Sequence, residues 1–383
     1  MNILWLAPIP LIENTNSHPA PWIITLAESL VQNDINLTIL TYNNTLQIDL
    51  LTYKYKNINL IYIKTPKLKL DFLTLYQLRI HIVRKYLKSI VQNFDLVHIH
   101  GTEHQYEAML YGLHNKVVIS IQGIISECIK ILPANTLKVY LEWKLASYYE
   151  LKYINKYNNF SCRTHWDSSF VKSKNSHANV YMIWEMIRDM FFNDNYNPSS
   201  KNILFVGGKN PIKGLPELLF AFNDSLQTKG FKLIILGNCN YDDINSIISN
   251  NNLTEIDTKN IDCRGMQDAS SMIDVYRDSF CLVHPTYIDN SPNSVCEAQL
   301  SGLPVIATDV GGVSSLIENN ITGILINRTS DAIAESVQRL FNDKVLYENI
   351  SLQSKVIARA RHSSDMIIGE TINMYKNIVA QEY

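Results

Sequence analysis

Residues 284–325 read HPTYIDNSPNSVCEAQLSGLPVIATDVGGVSSLIENNITGIL, and the order of elements in this stretch decides the fold. It opens at the end of an apolar run (280–284) and passes through the turn and cap residues Asn290, Ser291, Pro292 and Asn293. A short helix, 293–300, comes next, then an apolar run (305–308), a Gly311-Gly312 turn and a further apolar run (323–326). Strand, helix, strand in alternation is the unit of a parallel sheet with right-handed crossovers. A helix starting at Asn293 aims unpaired N–H groups, and the positive end of its dipole, at whatever lies before it, which makes a seat for a phosphate. Asp289 projects from the loop just outside that seat and Glu297 lies one helical turn inside. Amides for a phosphate, with one carboxylate for each set of hydroxyls, suit a diphosphate carrying sugars on both ends.

The same residues resemble the donor-sugar motif of the retaining family 4 glycosyltransferases of the GT-B fold, of the type that builds bacterial polysaccharide and lipopolysaccharide. The family pattern has two glutamates separated by seven residues, an alanine, a small–Gly–Leu–Pro turn and a Gly-Gly loop. This chain has Asp289, seven intervening residues, Glu297-Ala298, Ser301-Gly302-Leu303-Pro304 and Gly311-Gly312, with aspartate where the family has its first glutamate. The resemblance implies that Glu297 holds the ribose hydroxyls of a nucleotide. It implies that Asp289, with the amides near Asn290 to Asn293, holds the donor sugar, that Ser291, Pro292 and Ser294 line the same site, and that the base lies near Gly265 and Met266. It implies, finally, transfer with retention by front-face attack, the departing phosphate taking the acceptor's proton.

A second motif, VGGKNPIKGL, runs from Val206 to Leu215. Glycines at a strand end let the backbone approach a ligand closely, here at Gly207 and Gly208, and Lys213 stands at the start of the helix that follows, where an ammonium can meet phosphate oxygens. The segment resembles the family's G-R-x-x-x-x-K-G signature, whose Arg and Lys neutralise the donor diphosphate. Lys209 stands in place of the Arg, one residue nearer the second lysine, and lacks the bidentate fork of a guanidinium.

Working outward, apolar runs at 2–10, 37–42, 60–64, 96–100, 117–122 and 180–184 read as buried strands, with helices at 20–32, 72–93 and 137–157. The second half repeats the alternation, with strands at 203–206, 233–236, 262–264 and 280–284 and helices at 215–227, 242–249 and 269–277. The polar stretch 193–201 is the expected hinge. The expected architecture is α/β: two doubly wound, Rossmann-like domains facing each other across a cleft, an acceptor-binding domain 1–192 and a nucleotide-sugar-binding domain 201–383, with the final helix packed back on the first. Glu103 and His104, after the strand 96–100, and Gln122, after the strand 117–122, are the candidate acceptor ligands. Many relatives have a histidine where Gln122 stands. In the loop 12–22, where relatives carry two donor-contacting glycines, this chain has Pro19, Ala20 and Pro21.

Composition and charge bound the remaining classes. At 383 residues the chain is long enough for two domains. No apolar run approaches the ~20 residues that cross a bilayer, and no Lys or Arg precedes Lys54, so neither a membrane span nor a secretory signal is expected. Six cysteines without C-x-x-C spacing read as reduced thiols of a cytoplasmic protein. Residues 1–192 hold 19 basic and 14 acidic side chains, a net of +5, against a net of −7 in the rest. Nine of those basic residues fall between Lys54 and Lys88. Together with the Tyr- and Lys-rich stretch 132–157, they lead us to expect peripheral contact of the first domain with an anionic membrane, and no nucleic acid partner. No HExxH, paired-histidine or Asp-x-Asp set appears, so no metal and no cofactor is expected beyond the nucleotide sugar itself, with Lys213 and the helix start in place of a cation. The expected function is transfer of a sugar from a nucleotide-diphosphate sugar to a saccharide or lipid-linked saccharide acceptor. A sugar-nucleotide epimerase of the same fold and a non-catalytic nucleotide-sugar-binding subunit are the alternatives.

Overall fold

The computed structural model describes residues 1–11, 21–132, 137–192 and 200–381. They belong to two compact units, Met1–Met186 with His362–Tyr383, and Ile187–Arg361. The expected hinge and the expected glycine-poor loop fall, at residues 193–199 and 12–20, outside the described residues.

The first unit is built on eight strands: β1 (Asn2–Leu6), β2 (Asn36–Asn43), β3 (Leu50–Tyr55), β4 (Ile58–Lys64), β5 (Leu96–His100), β6 (Val117–Ser120), β7 (Asn159–Cys162) and β8 (Asn179–Met182). Their order is β3-β4-β2-β1-β5-β6-β7-β8. Strand β1 lies inside the sheet, parallel to β2 and β5, with Trp5 opposite Ile39 and His98. Covered on both faces, it reads as an unbroken apolar run; it stops at Leu6 rather than at residue 10 because Pro8 and Pro10 have no N–H to give a ladder. The edge strand β3 pairs antiparallel with β4. Lys56 and Asn57, at φ 42° and 67°, form the left-handed two-residue turn that such a hairpin favours.

The helix expected over 72–93 is two helices, Leu68–Leu73 and Gln77–Ile90. Leu75 and Tyr76 between them are left-handed, at φ 51° and 64°. The break has a local reason: it lets buried Asp71 pair with Arg79 at 3.1 Å and lays the Tyr76 ring 4.3 Å from the same guanidinium. The helix Ser364–Val379 also belongs to this unit, its Tyr375 hydroxyl lying 3.0 Å from Trp5 Nε1 and 2.7 Å from His98 Nδ1.

The second unit carries an all-parallel sheet of β9 (Asn202–Val206), β10 (Lys232–Leu236), β11 (Ile261–Gly265), β12 (Cys281–His284), β13 (Val305–Thr308) and β14 (Ile324–Ile326). The order is β11-β10-β9-β12-β13-β14, so the chain reverses direction of travel between β9 and β12. Ligands of open α/β sheets bind beyond the carboxyl ends of the strands at such a switch point. The helix expected over 215–227 is α-helical only over Leu215–Ala221 and widens to a π turn at Phe222–Leu226. No described helix is long and apolar enough to cross a membrane.

Candidate active site

Strands β9, β12 and β13 are neighbours, and the loops at their carboxyl ends meet. Two glycines make that approach possible. Gly214, at φ +76°, ends the loop after β9; a Cβ there would overlap the Pro285 carbonyl. Close approach lets the Tyr287 N–H and the Thr286 hydroxyl each donate to the Ile212 carbonyl at 2.8 Å. Gly311, at φ +58°, follows β13; a Cβ there would overlap the Asp289 carbonyl, to which the Gly312 N–H donates at 2.9 Å. Only glycine meets both demands, a left-handed backbone and no side-chain volume.

The result is a cluster around Asp289. Lys213 forms an ion pair with Asp289 Oδ2, and His284 Nε2 lies 3.1 Å from the same oxygen. The Asn290 N–H donates to Oδ1 at 3.1 Å. Burial on its own pushes the Asp289 carboxyl up, but the Lys213 ammonium and His284 outweigh it and hold the group well below the usual carboxylate range. His284 itself is lowered by burial, the Asp289 hydrogen bond working against that shift and Lys213 with it. The helix Asn293–Ser301 starts just beyond, with Pro292 at its N-cap and no side chain capping it.

Glu297 is buried on that helix. Arg188 Nη2 lies 3.2 Å from Oε1, and the Tyr276 hydroxyl donates to Oε2 at 3.1 Å. Burial pushes its carboxyl up to about 6, against the pull of Arg188 and Tyr276. Lys209 turns away from the Asp289 cluster and pairs instead with Asp243 at 2.9 Å. Gly208 is fixed by its N–H to the Leu236 carbonyl at 2.9 Å. Gly265 ends β11, and Met266 beyond it is exposed.

In the first unit the three expected ligands divide. The Gly123 N–H donates to Glu103 Oε1 at 2.8 Å, and both Glu103 and Gln122 lie against Gly101. Burial pushes Glu103 up to about 7, and nearby Glu150 adds to that shift. His104 faces elsewhere: its Nδ1 lies 3.1 Å from the Tyr42 hydroxyl, in a cavity of about 430 Å³ lined also by Arg79 and Tyr106. Burial, then Arg79, lowers it to about 4.

Among the partners of Asp289, Glu297 and Lys209, three side chains, His284, Tyr276 and Asp243, were not singled out from the sequence. His284 had a signal, a polar residue ending an otherwise apolar strand five positions before Asp289. Tyr276 and Asp243 had none, because they reach Glu297 and Lys209 only through the fold.

Residues 200–343 match the family model of the group 1 glycosyl transferases. Over 184 residues the chain is 29% identical to the capsular polysaccharide biosynthesis glycosyltransferase CapM of Staphylococcus aureus, a match covering 46% of this chain and 46% of CapM. The chain spans about half the length of the first relatives it matches. Among solved structures, a sucrose-phosphate synthase from Thermosynechococcus elongatus aligns with a TM-score of 0.79 at 14% identity, over 99% of both chains. Anabaena HepE in complex with UDP-glucose aligns at 0.70 and 13% identity, over 97% of this chain and 99% of that one. At those identities the likeness speaks to fold, and the fold is GT-B.

Proposed function

We propose that the chain is a glycosyltransferase that moves a sugar from a nucleotide-diphosphate sugar to a saccharide or lipid-linked saccharide acceptor in surface polysaccharide biosynthesis, with retention of anomeric configuration. The observation that carries this reading is the Lys213–Asp289 pair at the ends of β9 and β12, next to the uncapped start of the helix Asn293–Ser301. The group 1 match of residues 200–343, the role in CapM's name and the UDP-glucose bound by HepE support it.

In this reading Lys213 and the first N–H groups of the helix neutralise the departing nucleoside diphosphate, so no metal ion is required. Asp289, held ionised by Lys213 and His284, accepts from donor-sugar hydroxyls, and Glu297 addresses the ribose. Gly208, Gly265, Met266 and the turn Asn290 to Ser294 complete the donor site, and Lys209 joins it only by leaving its pair with Asp243. Glu103, His104 and Gln122 serve the acceptor. The bond from the anomeric carbon to the diphosphate oxygen breaks and one to the acceptor oxygen forms on the same face, while the acceptor's proton passes to the departing phosphate.

A panel of nucleotide sugars tests the reading. One of them should raise the melting temperature. With that donor, mass spectrometry should find a sugar added to a saccharide acceptor, and nucleoside diphosphate released only when the acceptor is present, with or without EDTA. Interconversion of the nucleotide sugar without an acceptor would make the chain an epimerase. Binding with no turnover over the panel would make it a binding subunit.

A further inference from the structure

The helix Leu137–Tyr153 of the first unit has an unusual outer side. Leu137, Tyr140, Leu141, Tyr148 and Leu151 are exposed there, interleaved with exposed Lys138, Lys144 and Lys152. Their three- and four-residue spacing puts them on one side of the helix, about 20 Å long at 1.5 Å per residue. The other side buries Ala146, Ser147, Tyr149 and Glu150. A helix on a water-facing surface keeps its apolar stripe inward and its charges, of both signs, outward. Here the outward side is rich in large apolar groups and has no exposed acid, since Glu142 is half-buried and Glu150 buried.

A second segment adjoins it. Leu68, Leu70, Leu73, Leu75 and Leu78 are exposed, Leu68 and Leu73 by 71% and 77%, with Lys67 and Lys69 exposed between them. The one acid of this segment, Asp71, is buried against Arg79. Gln77 Nε2 donates to the Tyr149 hydroxyl at 2.5 Å, and that hydroxyl donates to the Leu75 carbonyl at 2.7 Å, fastening the two segments together. Ten of the 23 large hydrophobic residues exposed among the described residues lie in these two segments. That is a concentration rather than the ordinary scatter of a protein surface.

We propose that these two segments form one surface that docks on an anionic lipid bilayer. Aromatic and aliphatic side chains with single lysines between them suit the headgroup level, where each lysine is drawn to an anionic surface. The choice of a lipid over a protein partner rests on charge: five exposed lysines without an exposed carboxylate complement a uniformly negative plane. Of the basic run Lys54–Lys88, Lys56 is occupied by Glu28 at 3.0 Å and Arg79 by Asp71, so Lys67 and Lys69 contribute to the face instead. Leu68 also lines the cavity that holds Arg79 and His104. The cavity therefore borders the docking face, and the polar head of a lipid-anchored acceptor enters it while the tail stays in the bilayer; this last step rests on the transferase reading.

The docking is tested without turnover, so that its failure is separate from a failure of the transferase reading. The full chain is sedimented with vesicles of equal phosphatidylglycerol and phosphatidylcholine, and with phosphatidylcholine alone. The expected result is binding to the anionic vesicles at low salt, weakened at least tenfold by phosphatidylcholine alone or by high salt. L73S/L137S/L151S should lower that binding at least tenfold with an unchanged melting temperature, and K69E/K144E should do the same. No binding to anionic vesicles at low salt, equal binding to both vesicles, or unchanged binding by both variants would each overturn the proposal. So would a dimer, seen by analytical ultracentrifugation, that the leucine substitutions abolish, for the face would then belong to a second copy of the chain.

Discussion

At the strand ends of the second unit, half-buried Asp289 pairs with Lys213, and buried Glu297 with Arg188 at 3.2 Å. At the strand ends of the first unit, Glu185 has Arg163 at 3.7 Å, but Glu103 and Glu107 are in no ion pair among the described residues. Glu103 has one backbone N–H on one oxygen and no partner on the other, and neither oxygen of buried Glu107 has one. The same α/β plan thus handles buried acids in two ways. Taking a carboxylate out of water favours its neutral form unless a nearby positive charge opposes it. Asp289 accordingly stays ionised, while burial raises Glu103 to about 7 and Glu107 well above its ordinary value. Fixed charges of both signs suit a ligand with a diphosphate and hydroxyls. Of the two, half-buried Glu103, which holds a proton near neutrality, can donate to, and accept from, an uncharged hydroxyl, whereas both oxygens of Glu107 are buried. On the proposed function, the contrast matches an anionic donor in the second unit and a polyhydroxyl acceptor in the first.

The sharpest way to break this contrast is Lys213→Ala, which leaves Asp289 in the condition of Glu103, a half-buried acid without a cation. Loss of a charge-assisted contact worth about 1.5–3 kcal/mol predicts a fall in kcat/KM of about 10- to 150-fold. Lys213 is partly exposed at a loop end, so circular dichroism should report an unchanged fold. A folded variant with near-normal kcat/KM would take the lysine out of the site.

A smaller effect separates the two paired carboxylates from each other. Glu297→Gln should weaken binding of the free nucleoside diphosphate about tenfold, the ~1.4 kcal/mol of one charged hydrogen bond. Asp289→Asn should leave that affinity within about twofold and slow sugar transfer instead. Titration calorimetry with the free diphosphate decides it. Equal losses in the two variants would contradict the division of labour between ribose and sugar.

What the sequence showed in advance follows the same physics. Strands covered on both faces, such as β9 and β12, announce themselves as apolar runs. β3 does not, because it is an edge strand whose residues alternate between exposed and half-buried, and β7 does not, because Asn159 and Ser161 are buried in it, the Asn159 amide donating to the Val117 carbonyl at 3.2 Å. The break at Leu75 and Tyr76 carries no glycine or proline to mark it; it is imposed by the Asp71–Arg79 pair. Lys213 and Asp289 were legible because glycine turns and a helix start flank them in sequence. The partners that set the charge of Glu297, namely Arg188 and Tyr276, lie 109 and 21 residues away in the chain. The turn of Lys209 toward Asp243 was invisible for the same reason, since that acid caps a helix start 34 residues on.

The smallest effect tests the first unit's half of the contrast, and its sign is fixed by linkage. Glu103 holds its proton up to about pH 7 in the folded chain, against an ordinary value of 4.5. Between those values the folded state binds more protons than the unfolded state, so stability falls as pH rises through that window and is flat above it. Each pH unit of difference corresponds to about 1.4 kcal/mol at most, and partial exposure of the side chain reduces the whole contribution to roughly 1 kcal/mol. Glu103→Gln removes the ionisable group while keeping an oxygen that can accept the Gly123 N–H. The variant should therefore match the parent near pH 4.5 and exceed it by roughly 1 kcal/mol at pH 8 in urea unfolding. A parent whose stability instead rises between pH 5 and 7, with the Glu103→Gln variant rising less, would mean that Glu103 is held ionised by the fold. The two units would then treat their buried acids alike.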